Sequence, residues 1–255
     1  MREPAATRPA YDRIAHLYDV DMAQNMPFDD GGFYARVCRA QGGRVLELGC
    51  GNGRILLGLI GAGIDATGVD GSAGMLRQLE RKAAAQSVAA AVCQMDVRRL
   101  GFRPAFDVVL CPYSLVTYMT PAGDAAQMVR EAIGVLRPGG AIVVDAFVPR
   151  PVTRQGDFAQ DYERPFEAGT LVRSKKITAL TPRINRIERR YDLRAADGAL
   201  VDRIDIREEI RVFAPGDVLA LLAECGLHVR ETWWDYASPV PVDGARFFTA
   251  IAALG

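Results

Sequence analysis

The order of apolar runs and turn signals along this chain predicts a doubly wound α/β fold. A mostly parallel sheet would carry helices on both faces, with an antiparallel β element inserted late. Three observations carry the prediction. Between residues 44 and 147, short apolar runs alternate with stretches of helical spacing. Those runs are apolar on both faces, as strands covered on both sides must be. After Pro149-Arg150-Pro151 the texture changes to charged, β-rich segments, separated by Thr181-Pro182 and by the hairpin signal Asp197-Gly198.

Residues 1–10, with Pro4 and Pro9, read as a frayed tail. Tyr11, Ile14, Ala15 and Tyr18 fall at helical spacing, so residues 11–19 are expected to form one short amphipathic helix. Asn25-Met26-Pro27 and Asp30-Gly31-Gly32 punctuate a loop. Phe33, Val37 and Ala40 mark a second helix, stopped by Gln41-Gly42-Gly43.

Five strands are then expected at 44–48, 65–70, 88–94, 106–111 and 141–147. The helices between them fall at 54–60, 73–85 and 124–136, the last closed by a turn at Arg137-Pro138-Gly139-Gly140. Residues 170–179, 183–195 and 200–213 read as three antiparallel strands with one wet face. A helix over 215–225 leads to two final strands, 227–234 and 245–253, that rejoin the sheet. This makes seven strands in the main sheet.

Composition narrows the function. The 255 residues are 49% hydrophobic and 24% charged, a globular mix. Lys and Arg number 31 and Asp and Glu 31, which argues against gripping nucleic acid or an anionic membrane by bulk charge. The longest apolar run, residues 55–64, is far short of the roughly 20 residues that a membrane span needs. The N-terminal residues show no apolar signal core, so the expected location is cytoplasmic. The five cysteines form no CxxC pair and read as buried free thiols. With two histidines, no metal cluster stands out.

The sharpest segment is Val45-Leu46-Glu47-Leu48-Gly49-Cys50-Gly51-Asn52-Gly53. A glycine-rich strand-to-helix turn lets a ligand approach the backbone closely. A dinucleotide site has different glycine spacing. Glu47 would also repel a pyrophosphate, whereas it suits a cationic ligand.

With these residues the chain resembles the class I S-adenosylmethionine-dependent methyltransferases, whose first motif is E/D-x-G-x-G-x-G. Val69-Asp70-Gly71-Ser72-Ala73-Gly74-Met75-Leu76 is similar to the family's second motif, and Leu136-Arg137-Pro138-Gly139-Gly140 to its turn before the fifth strand. The resemblance implies a seven-stranded Rossmann-like sheet holding S-adenosyl-L-methionine, with S-adenosyl-L-homocysteine as product.

The implied cofactor residues are Tyr11, Glu47, Gly49, Cys50, Gly51, Gly53, Asp70, Gly71, Met75, Asp96, Val97 and Cys111. Asp70 would accept both ribose hydroxyls, and Met75 would pack near the adenosine. Asp96 and the Val97 backbone would meet the adenine. Cys111 would lie beside the methyl-bearing sulfur. Tyr11-Asp12-Arg13-Ile14-Ala15-His16-Leu17-Tyr18-Asp19 resembles a lid segment of small-molecule members.

This organisation divides the chain into lid helices (1–42), a cofactor core (43–150), inserted strands (151–213) and a return to the core sheet (214–255). The inserted strands suit a substrate lid and a homodimer surface equally.

The acceptor is expected to be a small molecule, methylated at nitrogen rather than oxygen. After the fourth strand the chain reads Cys111-Pro112-Tyr113-Ser114, which lacks the D/N-P-P-Y/F tetrapeptide of DNA and RNA amino-methylating enzymes. It resembles amino-sugar and glycine/sarcosine N-methyltransferases instead. Tyr113 and Tyr118 are the candidates for acceptor positioning, and Tyr18 reaches the same site from the lid. Asp145 would orient the acceptor or take a proton, with His16 as the alternative proton acceptor. O-methylation of a small molecule, methylation of RNA or a protein, and a non-catalytic cofactor-binding role are the rival readings.

Overall fold

A computed structural model describes residues 7–23, 26–152 and 156–255, and the side chains from residue 10 onward. Of the tail expected over 1–10, residues 1–6 lie outside the described residues, as does the loop residue Asn25, while 7–10 are not frayed but open α1. The N-terminal segment forms α1 (Thr7–Ile14), α2 (Tyr18–Met22) and α3 (Asp30–Gln41). The core alternates β1 (Val45–Leu48), α4 (Leu56–Gly61), β2 (Ala66–Asp70), α5 (Ala73–Ala85), β3 (Ala91–Gln94) and β4 (Phe106–Cys111). A 3₁₀ turn at Leu115–Tyr118 follows, then α6 (Asp124–Val135) and β5 (Leu136–Phe147). Next come β6 (Ala159–Phe166), β7 (Gly169–Thr181), β8 (Ile184–Arg194) and β9 (Leu200–Arg211). The chain ends with α7 (Pro215–Glu224), β10 (Leu227–Trp234) and β11 (Phe247–Leu254).

Seven strands make the main sheet in the order β10-β11-β5-β4-β1-β2-β3. Strands β1 to β5 run parallel, while β11 is antiparallel to both β5 and β10. The chain starts in the middle at β1 and winds first to β3, then returns through β4. That reversal opens a crevice at the C-terminal ends of β1 and β4, where doubly wound sheets bind ligands. The strands that frame it are the most apolar. Val45, Leu46, Leu48, Val108, Val109, Leu110, Ile142, Val143 and Val144 have no exposed surface. Each such side chain contributes roughly 1.5–3 kcal/mol of burial, which makes the strand ends a rigid platform.

Several elements differ from the sequence expectation. The single helix expected over 11–19 is two helices, because the chain turns at Ala15–Leu17 to bury Leu17 completely. The second antiparallel sheet has four strands, β6-β7-β8-β9, and not three. Its additional strand β6 lies at an edge and buries no residue fully, so it carries no apolar run to reveal it. The turn expected at Arg137–Gly140 is the exposed entry of β5, which starts at Leu136 opposite Phe106. Of the five thiols, only Cys38, Cys50 and Cys111 are buried; Cys93 is exposed and Cys225 is half-buried.

The inserted sheet packs on the N-terminal helices. Buried Asp21 accepts hydrogen bonds from the Tyr162 hydroxyl (2.6 Å) and the Tyr191 hydroxyl (3.0 Å), and pairs with Arg173. Arg13 donates to the Asp205 carbonyl at 2.7 Å. The Arg211 guanidinium donates to the Thr120 carbonyl beyond the 3₁₀ turn, at 2.5 and 3.2 Å. These bonds tie the inserted sheet to the N-terminal helices and to the segment beyond the 3₁₀ turn.

Candidate active site

The glycine turn is fastened to its neighbouring strand before any ligand arrives. The Gly49 and Cys50 N–H groups both donate to the Val69 carbonyl, at 2.7 and 3.0 Å. Gly51 has φ 54, and a Cβ there would come within 3.2 Å of the Met75 methyl. Any side chain would therefore fill the cradle between the turn and α5. Gly53 serves packing. With φ 83, its Cβ would fall 2.8 Å from Leu79 and 2.9 Å from Leu57, and it does not line the cavity.

Three carboxylates stand at successive strand ends on this side of the cavity. Glu47, on β1, is 2% exposed, and its Oε2 has no hydrogen-bond partner. Burial pushes its carboxyl up to about 8 against the opposing pull of Arg54. A buried acid with an orphaned oxygen in a cavity wall fits a cationic ligand group. Asp70, at the end of β2, is aimed by two backbone donors, Gly51 N–H at 2.9 Å and Ser72 N–H at 2.7 Å. Asp96 follows β3 and is gripped by Arg98, whose Nε lies 3.0 Å from Oδ1 and whose second arm lies 2.8 Å from Oδ2. The other arm of Arg98 pairs with Asp124 in the first turn of α6. Cys50, Gly71, Met75 and Val97 complete this half of the wall with Gly49 and Gly51. A cradle, an orphaned acid and two oriented acids fit an adenosine carrying a cationic amino-acid tail.

The other half of the cavity is aromatic. Tyr11 and Tyr18 enter from the N-terminal helices, and Tyr113 and Tyr118 from beyond β4. The Tyr11 and Tyr118 hydroxyls share a 2.6 Å hydrogen bond. Burial raises the pKa of Tyr11, Tyr18 and Tyr113, so these phenols stay protonated at neutral pH. The two aspartates that follow Tyr11 and Tyr18 fasten the N-terminal helices to the core. Asp12 accepts from the Ser72 hydroxyl and the Gly74 N–H, both at 2.6 Å, at the start of α5. Asp19 accepts from Asn52 at 2.7 Å and Lys82 at 2.8 Å.

Besides Gly53, three expected residues lie elsewhere. His16 is exposed and packs edge-on against Phe166 at 6.5 Å, outside the cavity wall, because the turn at 15–17 faces it outward. Cys111 is fully buried inside β4, so its thiol points into the core beneath the cavity and burial raises its pKa. Asp145 is also fully buried, and it accepts four hydrogen bonds. Burial raises its pKa despite those donors.

Sequence reasoning missed the ion pair at the junction of the two halves. Arg54, directly after the last glycine of the turn, donates to both oxygens of Asp30, at 2.9 and 2.7 Å. Its guanidinium lies 5.3 Å above the Tyr113 ring. Burial opposes its charge, but the hydrogen bonds and charge of Asp30 prevail and raise its pKa. The signal was a lone arginine two residues before a helix that buries Leu56, Leu57 and Leu59. Asp30, read as loop punctuation, is instead the first residue of α3, with Asp29 as N-cap accepting from Gly32 N–H at 2.8 Å. Among the described residues, no cluster of three or more His, Cys, Asp or Glu is placed to hold a metal ion.

Comparison with known proteins finds methyltransferases. Residues 45–140 match a family model described as "Methyltransferase domain". The chain is 31% identical over 165 residues to a cypemycin N-terminal methyltransferase from a Streptomyces species, covering 64% of this chain and 66% of that one. It superposes on the sugar N-methyltransferase KedS8 of a Streptoalloteichus species with a TM-score of 0.73 and 26% identity, covering 92% of both chains. A structure of an S-adenosylmethionine-dependent methyltransferase from Clostridium acetobutylicum shares the fold. Its TM-score is 0.79 at 18% identity, covering 96% of this chain and 99% of that one.

Proposed function

The chain belongs to the class I S-adenosylmethionine-dependent methyltransferases, and we propose that it methylates the nitrogen of a small amine. When bound, S-adenosylmethionine supplies a methyl group made electrophilic by its sulfonium. Glu47 would face the cofactor's ammonium, Asp70 the ribose hydroxyls, and Asp96 with Val97 the adenine. Met75 would pack against the adenosine. Tyr11, Tyr18, Tyr113 and Tyr118 would orient the acceptor and exclude water, so that alignment supplies most of the rate.

The observation that favours nitrogen is the composition of the aromatic half. Among the described residues it presents phenols and a paired guanidinium, but no carboxylate or imidazole placed to take a proton. The cavity's acids stand at the opposite, glycine-turn side or, as Asp124, in the Arg98 pair. A hydroxyl acceptor needs a base to become nucleophilic, whereas a neutral amine already is one and sheds its proton to water after transfer. The names of two relatives support the same atom, one a sugar N-methyltransferase and one an N-terminal methyltransferase. The charges of the inserted sheet are cross-paired, as in Arg186–Glu209, Arg190–Asp205 and Arg203–Asp192, which favours a small acceptor over RNA.

The test is a mass-spectrometric transfer assay with methyl-labelled donor on matched pairs of acceptors. An amino sugar would be paired with its hydroxyl counterpart, and an aniline with the corresponding phenol. Label in the amines and not in their oxygen counterparts is the expected result. Faster labelling of the oxygen member of each pair would overturn the reading.

A further inference from the structure

Asp145 lies on β5, paired with Thr249 of β11, and has no exposed surface. Its oxygens receive the Tyr34 hydroxyl, the Tyr236 hydroxyl at 2.6 Å, the Tyr113 N–H at 3.1 Å and the Ser114 N–H at 2.5 Å. Tyr113 and Ser114 are consecutive left-handed residues, with φ 52 and 58. Neither type adopts that conformation without compensation. Successive N–H groups in such a segment form a concave seat for an anion, and here the Asp145 carboxylate fills it.

The supports of Tyr113 converge on one helix. Tyr34 belongs to α3, four residues after Asp30, on the same face. Asp30 holds Arg54 above the Tyr113 ring, while Tyr34 holds the carboxylate beneath its backbone. Tyr236, left-handed at φ 62, brings in the segment between β10 and β11. The structure assigns Asp145 the role of positioning residue for the acceptor: its carboxylate keeps the Tyr113-Ser114 pair left-handed and so sets the Tyr113 ring in the cavity wall. This assignment rests on the reading of the tyrosine wall as the acceptor subsite.

The test uses the full chain labelled with 3-fluorotyrosine, with the Tyr113 resonance identified from Tyr113→Phe. S-adenosylhomocysteine serves as the binding probe. Asp145→Asn turns one acceptor oxygen into an amide that faces donors. The Tyr113 resonance is expected to move or split, while affinity for the probe stays within about twofold. Adding Ser114→Gly should restore a single resonance near its original position, because glycine accepts the left-handed region freely. An unmoved Tyr113 resonance in folded Asp145→Asn, or no recovery with Ser114→Gly, overturns the assignment. A loss of probe affinity beyond about tenfold also overturns it, since Asp145 would then support the whole cleft. If Asp145→Asn does not fold, Tyr236→Phe removes one donor without a clash. It should shift the Tyr113 resonance, and no shift would count against the role. Failure of the unmutated protein to bind the probe would remove the cofactor reading, while the fluorine comparison would still decide the role of Asp145.

Discussion

Glu47 should make cofactor binding a proton-releasing event. In the free protein, burial holds its carboxyl at about 8, against an ordinary value of 4.5. At 1.36 kcal/mol per pKa unit, the buried site disfavours the ionised form by roughly 5 kcal/mol relative to water, even with Arg54 nearby. The free protein therefore keeps Glu47 protonated at pH 6 to 7. An ammonium placed against the orphaned Oε2 reverses that preference and expels the proton. Affinity for S-adenosylhomocysteine should then rise nearly tenfold per unit between about pH 5.5 and 7.5 and level off near 8. Calorimetry in buffers of different ionisation enthalpy should count close to one proton released at pH 6. The same shift acts on stability with the opposite slope. A carboxyl raised in the folded state favours folding most below 4.5, and that advantage is lost as pH climbs toward 8. Stabilisation by ligand should therefore grow with pH. In Glu47→Gln both dependences should vanish, with weaker binding at pH 8 than in the unmutated protein. Affinity independent of pH across this window, with no proton release, would refute the reasoning.

Three further outcomes follow from the same geometry. Asp70→Ala should lower S-adenosylhomocysteine affinity by about 2–4 kcal/mol in a folded protein, since two charge-assisted hydrogen bonds to a ribose are lost; titration against the unmutated protein checks this. Gly51→Ala should abolish measurable binding while costing only about 1–2 kcal/mol of stability, because the new Cβ enters the cradle at a left-handed φ; denaturant unfolding and titration together separate the two effects. Asp12→Ala should uncouple α1 from the start of α5 at a cost of about 1 kcal/mol, and hydrogen exchange should rise in residues 7–22 while the core strands stay protected.

The core fold was legible because glycine spacing and doubly apolar strands each have one good structural solution. The turn at 49–53 and the acid ending β2 stand where their residue types require. Tyr11 and Tyr18 also reach the cavity, although the helix expected to carry them is two helices: the turn at 15–17 keeps both on the cavity side. The sequence was silent wherever a residue's role depends on a distant partner. Arg54 needs Asp30, Arg98 needs both Asp96 and Asp124, and Asp145 needs Tyr34 and Tyr236. No local pattern announces those pairings. Asp145 shows the difference most clearly. An acid at the end of a strand beside the crevice reads as a proton acceptor, yet four donors reach it from three directions and hold it below the cavity. Strand β6 was missed for a different reason: an edge strand with one face exposed and the other only half-buried has no apolar period to detect.

The account stands on the claim that the glycine turn and its three acids hold S-adenosylmethionine. The most direct test is calorimetric titration of the purified chain with S-adenosylhomocysteine, with NAD as the control. The account predicts one saturable site for the first and none for the second. Binding of NAD, or no binding of S-adenosylhomocysteine by folded protein either alone or with candidate amines present, would contradict it.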